Sequence, residues 1–306
     1  MSTDLSIDLG FLTLKNPVIG ASGTFGYGIE FAPFMDLNQL GGFVVKGLYM
    51  SPKEGNPPPR LVETHGGLIN AIGLQGAGVK RFCREILPEL TLYDTAVIIN
   101  ICGSDEDEYT QVADYLNQHE GIAAYELNIS CPNVRQGGGC PAMSPESTFR
   151  IVKNVKKISR RPVITKLSPN VTRIEDIAVS AAEAGSDALS LINTILAMAV
   201  DPETRRPRLA NIMGGLSGPA VKPIALRMVY QAARSVPIPV IGIGGISSPS
   251  DVLEFMIAGA SAVQVGTANF IDPRSTLNII RELEKTCQAK KITLKSLIGS
   301  LDTTPA

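Results

Sequence analysis

The chain has 306 residues, of which 44% are hydrophobic and 19% are charged, a charged share below the ~25% usual for globular domains. Its 28 basic and 29 acidic residues give a formal net charge of −1, which excludes a polycationic nucleic-acid coat and an acidic disordered tail. Met1–Gly10 holds two aspartates and no apolar run, and no stretch of 18 apolar residues occurs, so neither a signal peptide nor a membrane span is predicted. The five cysteines lack C-x-x-C spacing, which favours a cytoplasmic protein with reduced thiols over a disulfide framework or a zinc site.

Eight short apolar runs rich in β-branched residues recur along the chain, and each ends in a small or polar residue. They are too short for typical helices and too continuous for strands with one wet face, so they predict buried parallel strands. These runs are Val18–Ala21, Gly42–Lys46, Ala96–Asn100, Tyr125–Asn128, Val163–Leu167, Ala188–Asn193, Val240–Gly244 and Ala262–Gly266.

Segments with helical spacing lie between most of these runs, and several begin at a capping residue such as Ser144 or Ser248. The alternation predicts an α/β fold, a (β/α)8 TIM barrel forming one domain over 1–306, in preference to an open doubly wound sheet. Such a barrel usually needs ~250 residues, so we assign the surplus of about 50 to long βα loops at the C-terminal face, Gly47–Ala77 and Thr194–Gly218. The predicted helices are Gly78–Leu87, Glu106–Gln118, Pro145–Ser159, Ile174–Ala184, Val221–Ser235 and Ser250–Ala258.

Polar residues and glycines stand at the strand ends, where an apolar run could have continued into the loop. In a barrel these positions converge on the C-terminal mouth, where polar residues indicate a functional site. Any single asparagine is equally compatible with a loop cap, but two lysines and three asparagines at five of eight strand ends favour a site. The strand-end residues are Ser22, Lys46, Asn100, Asn128, Lys166, Asn193, Gly244-Gly245 and Gly266-Thr267.

The glycines after the last two predicted strands indicate a phosphate site. Gly244-Gly245 and Gly266-Thr267 present backbone N–H groups ahead of helix N-termini, a place where barrels commonly bind phosphate. Taken alone, the first of these motifs is also compatible with a simple turn. No Walker or dinucleotide fingerprint is present, so the phosphate is assigned to a mononucleotide cofactor.

Cys131 follows the fourth predicted strand by three residues, on a polar loop that continues into Gly137–Gly139. The ordinary role of a lone cysteine is a buried small hydrophobe, which we expect for Cys83, Cys102 and Cys287. A thiol on a loop over a barrel mouth can instead act as a nucleophile or as a proton-transfer base. The chain has two histidines and neither is on this loop, which gives a Cys–His hydrolase little support.

Motifs in nearly every βα loop resemble those of the FMN-dependent dihydroorotate dehydrogenases. The resemblance runs from about residue 5 to the end of the barrel. It is closest to the catalytic subunit of the NAD-linked class, because N-P-P-P-R-L-V-E-T is followed by N-A-I-G-L-Q. The membrane-bound class has serine in place of Cys131 and an additional N-terminal helix. The matching stretches are Ala21-Ser-Gly-Thr-Phe-Gly, Lys46-Gly, Glu54-Gly-Asn-Pro-Pro-Pro-Arg, Asn70-Ala-Ile-Gly-Leu, Glu126-Leu-Asn-Ile-Ser-Cys-Pro-Asn, Asn193-Thr and Gly242-Ile-Gly-Gly-Ile.

The resemblance implies FMN across the barrel mouth with dihydroorotate stacked on its ring. Cys131 would remove the C5 proton of (S)-dihydroorotate while hydride passes from C6 to the flavin, giving orotate in pyrimidine (UMP) biosynthesis. The implied flavin contacts are Ser22, Lys46, Gly47, Asn100, Asn128, Lys166, Ile192, Gly218, Gly244, Gly245, Gly266 and Thr267. The implied substrate contacts are Lys46, Asn70, Ala71, Ile72, Gly73, Leu74, Asn128, Asn193 and Thr194.

A partner protein is expected because the chain lacks both a dinucleotide fingerprint and a cysteine cluster for iron–sulfur ligation. The resemblance implies a smaller subunit that carries FAD and a 2Fe-2S cluster and joins a homodimer of catalytic chains in a heterotetramer. No metal, nucleic acid or membrane is expected to bind this chain. The alternatives are a fumarate-linked dihydroorotate dehydrogenase, a dihydropyrimidine dehydrogenase-like flavoenzyme, a non-redox barrel such as an aldolase or isomerase, and a barrel without catalysis.

Two departures from the family pattern border the predicted site. Gly76-Ala77 replaces the usual Asn-Pro, which predicts a more flexible loop. Gly139–Met143 replaces a phenylalanine-containing stretch beside the predicted lid, and it makes Cys140 a candidate second thiol.

Overall fold

Eight parallel strands close into a barrel in the computed structural model, which describes residues 3–130 and 141–304. Their hydrogen-bonded order around the barrel follows their order in the chain. All eight predicted strands are confirmed, with ends that differ by no more than two residues. Numbered β1 to β8, the barrel strands are Val18–Gly20, Gly42–Val44, Ala96–Ile101, Ala124–Asn128, Val163–Lys166, Ala188–Leu191, Val240–Ile243 and Ala262–Val265.

Helices follow the strands and cover the outside of the barrel, as predicted. The first predicted helix is continuous over Val79–Arg81, a π-helical turn at Phe82–Ile86, and Leu87–Leu90. Two short helices, Ala268–Ile271 and Leu294–Leu297, and the long helix Ser275–Lys290 were not predicted. Numbered α1 to α10, the helices are Val79–Arg81, Leu87–Leu90, Glu106–Leu116, Pro145–Ile158, Ile174–Glu183, Lys222–Ser235, Pro249–Ile257, Ala268–Ile271, Ser275–Lys290 and Leu294–Leu297.

Local chemistry explains where these helices begin. Ser144 caps α4 by accepting the Ser147 N–H, and proline occupies the first helical position, where its missing N–H is harmless. Ser248 and Asp251 form a reciprocal capping box at the start of α7. Inward-facing apolar residues of the helices and strands are then buried together, each stabilising the fold by about 1.5–3 kcal/mol.

The two long insertions are not irregular loops, because together they build a four-stranded antiparallel sheet. The sheet order is Ile195–Met198, Met213–Ser217, Gly67–Asn70 and Leu61–Thr64, and the central pair sets Gly215 opposite Asn70. The insertions follow β2 and β6, so this sheet joins two regions that lie far apart in the sequence. Two-residue hairpin strands pair Ile7–Asp8 with Thr13–Leu14 and Val200–Asp201 with Arg206–Pro207.

Single-turn 3-10 helices occur at Ile29–Phe31, Leu37–Gln39, Pro141–Met143 and Pro219–Val221. Among the helices of the described ranges, none is long and apolar enough to cross a membrane.

Candidate active site

A cluster of polar side chains lies inside the barrel toward the carboxyl ends of its strands. Glu126 of β4 is fully buried, and both of its carboxylate oxygens are engaged. Oε1 accepts a hydrogen bond from Asn100 Nδ2 (2.8 Å), while Oε2 accepts from Ser190 Oγ (2.9 Å) and Gln264 Nε2 (2.6 Å). Lys166 Nζ lies 3.6 Å from Oε1. No role was predicted for Glu126 from the sequence, although an ionisable residue within an apolar strand indicates a buried polar contact.

Two asparagines at the ends of β4 and β6 contact each other at the mouth. Asn193 Nδ2 donates to Asn128 Oδ1 (3.2 Å), and Asn193 Oδ1 accepts the Thr194 N–H (2.8 Å). Asn128 is also the register partner of Lys166 across the β4–β5 pair. The structure therefore brings together four of the predicted site residues on one side of the mouth.

Lys46 lies just beyond β2, and its side chain is half-buried. Burial, and then the nearby Arg60 guanidinium, lower the pKa of the Lys46 ammonium below the ordinary 10.5, against an opposing effect of Glu30. Ser22, at the end of the neighbouring strand, donates its hydroxyl to the Val45 carbonyl (2.8 Å) and ties the two strand ends together. A partly desolvated ammonium of this kind favours an anionic ligand.

Glycine is required at Gly47 by the close approach of neighbouring groups. A Cβ at this position would lie 2.5 Å from Cys102 Sγ and 2.9 Å from Asn100 Oδ1. The Gly47 backbone is therefore packed against the cluster around Glu126, and the predicted flavin contacts Gly47 and Asn100 are neighbours.

The turn after β7 forms a glycine cradle with the ends of the second insertion and β8. Gly245 has a φ of +71°, and a Cβ on it would lie 2.9 Å from the Gly218 carbonyl oxygen and 2.8 Å from Lys222 Cβ. A Cβ on Gly218 would in turn lie 3.5 Å from Thr267 Cγ2. Thr267 Oγ1 donates a hydrogen bond to the Ser217 hydroxyl oxygen (2.8 Å).

Two further predicted flavin contacts border this cradle. Ile192 Cγ1 lies 3.5 Å from where a Gly244 Cβ would stand. Gly266 directly precedes Thr267, and a Cβ there would find ordinary contact with Ala21 Cβ at 3.6 Å. The two stretches predicted for phosphate binding thus lie together, with the predicted flavin contact Gly218 between them.

An ion pair holds the turn after β7 in place. Asp251 Oδ1 accepts from Lys222 Nζ (2.6 Å), and its Oδ2 accepts the N–H groups of Ser247 and Ser248 (2.9 Å each). This joins the turn to the starts of α6 and α7. Burial alone would raise the pKa of Asp251, but the donors from Lys222, Ser247 and Ser248 together hold it below the ordinary 3.8.

We expect Asp251→Asn to lower the free energy of unfolding at pH 7 by about 2 kcal/mol, because hydrogen bonds to a charged carboxylate are lost. The folded-state pKa is depressed, so this stabilisation is present above pH ~3.8 and is lost as the pH falls through the folded value. Urea unfolding at a series of pH values should show the gap between wild type and variant narrowing below pH ~4. The exposed Asp114→Asn is the control, and a gap that stays constant with pH would contradict the assignment.

The predicted substrate segment Asn70–Leu74 is fixed by contacts with the rest of the first insertion. Asn56 donates its backbone N–H to the Ile72 carbonyl and its Nδ2 to the Ala71 carbonyl (2.9 Å each), and Gly73 and Leu74 both have positive φ. Asn70 Nδ2 donates to the Gly215 carbonyl at 3.2 Å.

Thr194 lies against the same glycine, because a Cβ at Gly215 would overlap the Thr194 side chain. The antiparallel sheet therefore brings Asn70 and Thr194, substrate residues predicted in the two insertions, against the same residue, Gly215. Gly76 exchanges two backbone hydrogen bonds with Lys53 (3.0 and 2.9 Å), and Ala77 donates its N–H to Tyr27 Oη (2.7 Å). These contacts argue against the extra flexibility predicted for Gly76-Ala77.

Cys131, the predicted catalytic residue, and Cys140 lie outside the described residues. Cys102 Sγ is 3.5 Å from Asn100 Oδ1, so this cysteine is not only a hydrophobe of the core, as predicted, but also part of the polar cluster. Burial raises the pKa of the Cys83 thiol to about 12, which fits its predicted inert role.

The dihydroorotate dehydrogenase family model matches residues 5–287 of this chain. The chain belongs to the dihydroorotate dehydrogenase family. A protein of Geotalea uraniireducens described as "Dihydroorotate dehydrogenase B (NAD(+)), catalytic subunit" is 51% identical over 301 residues, which cover 98% of this chain and 99% of that one. A protein of Solibacter usitatus, provisionally described as dihydroorotate dehydrogenase A (fumarate), is 53% identical over 302 residues, covering 98% and 99%.

Among solved structures, a dihydroorotate dehydrogenase from Eimeria tenella in complex with ferulenol has the same fold. The TM-score is 0.79 at 22% sequence identity, and the match covers 97% of this chain and 88% of that one. The predicted TIM barrel is confirmed, and membership of this family makes the protein a flavin-dependent dihydroorotate dehydrogenase.

Proposed function

We propose that this chain is the catalytic subunit of an NAD-linked dihydroorotate dehydrogenase, which oxidises (S)-dihydroorotate to orotate in pyrimidine biosynthesis. The observation that carries this proposal is the identity of 51% over 98% of the chain to a relative described as that subunit. The polar barrel mouth supports it, because oxidation of a cyclic amide carrying a carboxylate calls for both amide and cationic groups.

FMN is the flavin that the mouth fits. The cradle of Gly218, Gly244 and Gly245 carries no side chains, and an added Cβ would collide with backbone at Gly218 and Gly245 and with the Ala225 side chain at Gly244. A phosphate can therefore approach the main-chain N–H groups there. Gly266 and Thr267 would complete this end, and Ser22, Gly47, Asn100 and Ile192 would line the remainder. When bound, FMN supplies the acceptor for the hydride from C6.

The lysines and asparagines have separate roles toward the ligands. Lys166 would place its ammonium beside the flavin ring, and Lys46 would face both flavin and substrate. Asn70, Asn128 and Asn193 carry amides that donate and accept, which matches the alternating N–H and C=O groups of the substrate ring. Preorganised charges of this kind stabilise the negative charge that develops during hydride transfer.

The substrate segment would hold the substrate, and Cys131 would act as the base. Ala71, Ile72, Gly73 and Leu74 belong to the fixed segment of the first insertion, and Thr194 follows Asn193 on the second. Cys131 is proposed to take the C5 proton. Its assignment rests on the family motif that it occupies.

The lowered pKa of Lys46 predicts a pH dependence of orotate binding. Since burial and Arg60 bring this pKa below 10.5, the ammonium loses its charge earlier than an ordinary lysine as the pH rises. Orotate is an anion, so its Kd should increase with pH in the alkaline range below 10.5. Calorimetric titration of the FMN-loaded protein measures this.

Lys46→Met should weaken orotate binding about tenfold at neutral pH, the loss of one charge-assisted hydrogen bond worth ~1.4 kcal/mol, and should flatten the alkaline dependence. The exposed Lys53→Met, in the insertion that follows Lys46, is the matched control and should keep both the orotate affinity and its alkaline dependence. An unchanged alkaline profile in Lys46→Met would remove Lys46 from the substrate site.

The electron acceptor is proposed to be NAD+, reached through a second subunit that carries FAD and a 2Fe-2S cluster. A homodimer of this chain would bind two such subunits in a heterotetramer. The test is dihydroorotate oxidation by the purified chain with NAD+ and with fumarate, repeated after the partner is added. We expect NAD+ reduction only with the partner, and NAD+ reduction by the isolated chain would contradict the proposal.

A fumarate-linked enzyme is the second candidate, and the 53% identity to the Solibacter protein favours it. Fumarate-dependent turnover by the isolated chain, with no gain from the partner, would decide for this candidate. Activity on dihydrouracil distinguishes a dihydropyrimidine dehydrogenase-like enzyme from both candidates, because such an enzyme would oxidise dihydrouracil as readily as dihydroorotate.

A further inference from the structure

The carboxylate of Glu126 is buried and surrounded by hydrogen-bond donors. A buried charge is tolerated only when it is paired and hydrogen-bonded. Three donors point at its oxygens, and two of them, Asn100 Nδ2 and Gln264 Nε2, are amide nitrogens that can only donate. The Asn100 amide is oriented by a further contact, since its Oδ1 faces Cys102 Sγ at 3.5 Å.

Lys166 is the counter-ion of this carboxylate. Its side chain is only 8% exposed, and Glu126 is the one carboxylate within 4.0 Å of Nζ among residues 3–130 and 141–304. The neighbouring strands present neutral groups to it, since its register partners are Asn128 and Ser190. The positive charge of Lys166 and the negative charge of Glu126 therefore compensate each other inside the barrel.

The geometry of the pair leaves the lysine available at the mouth. The separation of 3.6 Å is longer than a hydrogen bond, and within the described chain this ion pair is the polar contact that Nζ makes. The Glu126 carboxylate attracts the ammonium electrostatically without accepting a hydrogen bond from it. The N–H groups of Lys166 therefore remain available to a ligand at the barrel mouth. A tight bidentate pair would have used them.

We propose that Glu126 is a positioning residue that keeps Lys166 protonated beneath the flavin in both redox states of the enzyme. This inference rests on the proposed function, which places FMN at this mouth. Reduction to the anionic flavin takes two electrons and one proton. With Glu126 in place, Lys166 Nζ carries its proton before and after this step and takes up none.

Glu126→Gln is the test, read by the midpoint potential of bound FMN as a function of pH. Without its counter-charge, the buried lysine is neutral beside oxidised FMN, so reduction draws a second proton onto Nζ. Each additional proton taken up changes the equilibrium constant for reduction by a further factor of ten per pH unit. For a two-electron couple this steepens the midpoint potential by ~30 mV per pH unit. We expect this extra slope in Glu126→Gln and none in Glu126→Asp, the conservative variant.

Ser190→Ala is the matched control, because it removes a donor to the same carboxylate without changing a charge. It should destabilise the fold but leave the slope of the wild type. A Glu126→Gln slope parallel to the wild type would overturn the proposal, as would an equal slope change in Ser190→Ala.

A second measurement keeps the proposal testable if Glu126→Gln does not fold. The double variant Glu126→Gln/Lys166→Met removes the lysine that Glu126→Gln leaves buried without its counter-charge, so it should unfold at a higher temperature than Glu126→Gln alone. Additive losses of Tm from the two substitutions would overturn the pairing. This comparison needs no turnover, so its failure is distinct from a failure of the wild-type chain to oxidise dihydroorotate.

Discussion

Cys131→Ala should retain FMN and lose about 10²- to 10⁴-fold in the rate of dihydroorotate oxidation, the usual contribution of a general base. In the proposed reaction the C5 proton is removed while hydride leaves C6, and alanine has no atom to take that proton. A thiol suits the task because its reference pKa of ~8.5 is near working pH and is lowered by nearby cations. The measurements are the flavin content and the anaerobic rate of flavin reduction by dihydroorotate.

Two variants of the same loop serve as controls. Cys131→Ser should shift the pH optimum upward, since a hydroxyl is a far weaker acid than a thiol. Cys140→Ala removes the second thiol of this stretch and should react like the wild type. Normal turnover in Cys131→Ala would disprove the base assignment.

Gly245→Ala should abolish stable FMN binding. A φ of +71° costs an L-residue ~1–2 kcal/mol, and the new Cβ would lie 2.9 Å from the Gly218 carbonyl oxygen. Because the Gly218 carbonyl belongs to the backbone and cannot rotate away, the cradle has to open to accept the new Cβ. Each ~1.4 kcal/mol of binding free energy lost in this way lowers the FMN affinity tenfold, so we expect at least a tenfold loss. Fluorescence titration of the flavin-free protein measures this loss. Riboflavin lacks the phosphate, so its affinity should change less than that of FMN.

Gly299→Ala is the matched control for backbone strain. Gly299 has a φ of +68° and no atom within 4 Å of an added Cβ, so it carries the strain without the collision. It should lose a similar amount of stability and keep FMN. Equal FMN affinity in Gly245→Ala and wild type would remove the cradle from the phosphate site.

The barrel was predictable because its strands are buried on both faces and stand out as continuous apolar runs. All eight lie within two residues of their predicted ends. The antiparallel sheet of the insertions was not predictable, because its strands come from two insertions far apart in the sequence and two of them contain glycine. Its central pairing sets Asn70 against Gly215, a contact between two insertions that no local pattern encodes.

The candidate site was predictable as a set of strand ends but not as a set of contacts. Polar residues at Lys46, Asn128 and Lys166 could be read as converging on one mouth. The role of Glu126 could not, since it depends on donors from three other strands. The Lys222–Asp251 ion pair likewise joins two helices and a turn that are separate in sequence.

The central claim is that this chain oxidises dihydroorotate with its own flavin, and anaerobic titration of the purified chain tests it most directly. The account predicts a yellow protein whose flavin absorbance is bleached by dihydroorotate in stoichiometric amount and is restored by fumarate or by NAD+ with the partner subunit. Dihydrouracil should leave the absorbance unchanged. A colourless chain that cannot take up FMN, or equal bleaching by dihydrouracil, would contradict the account.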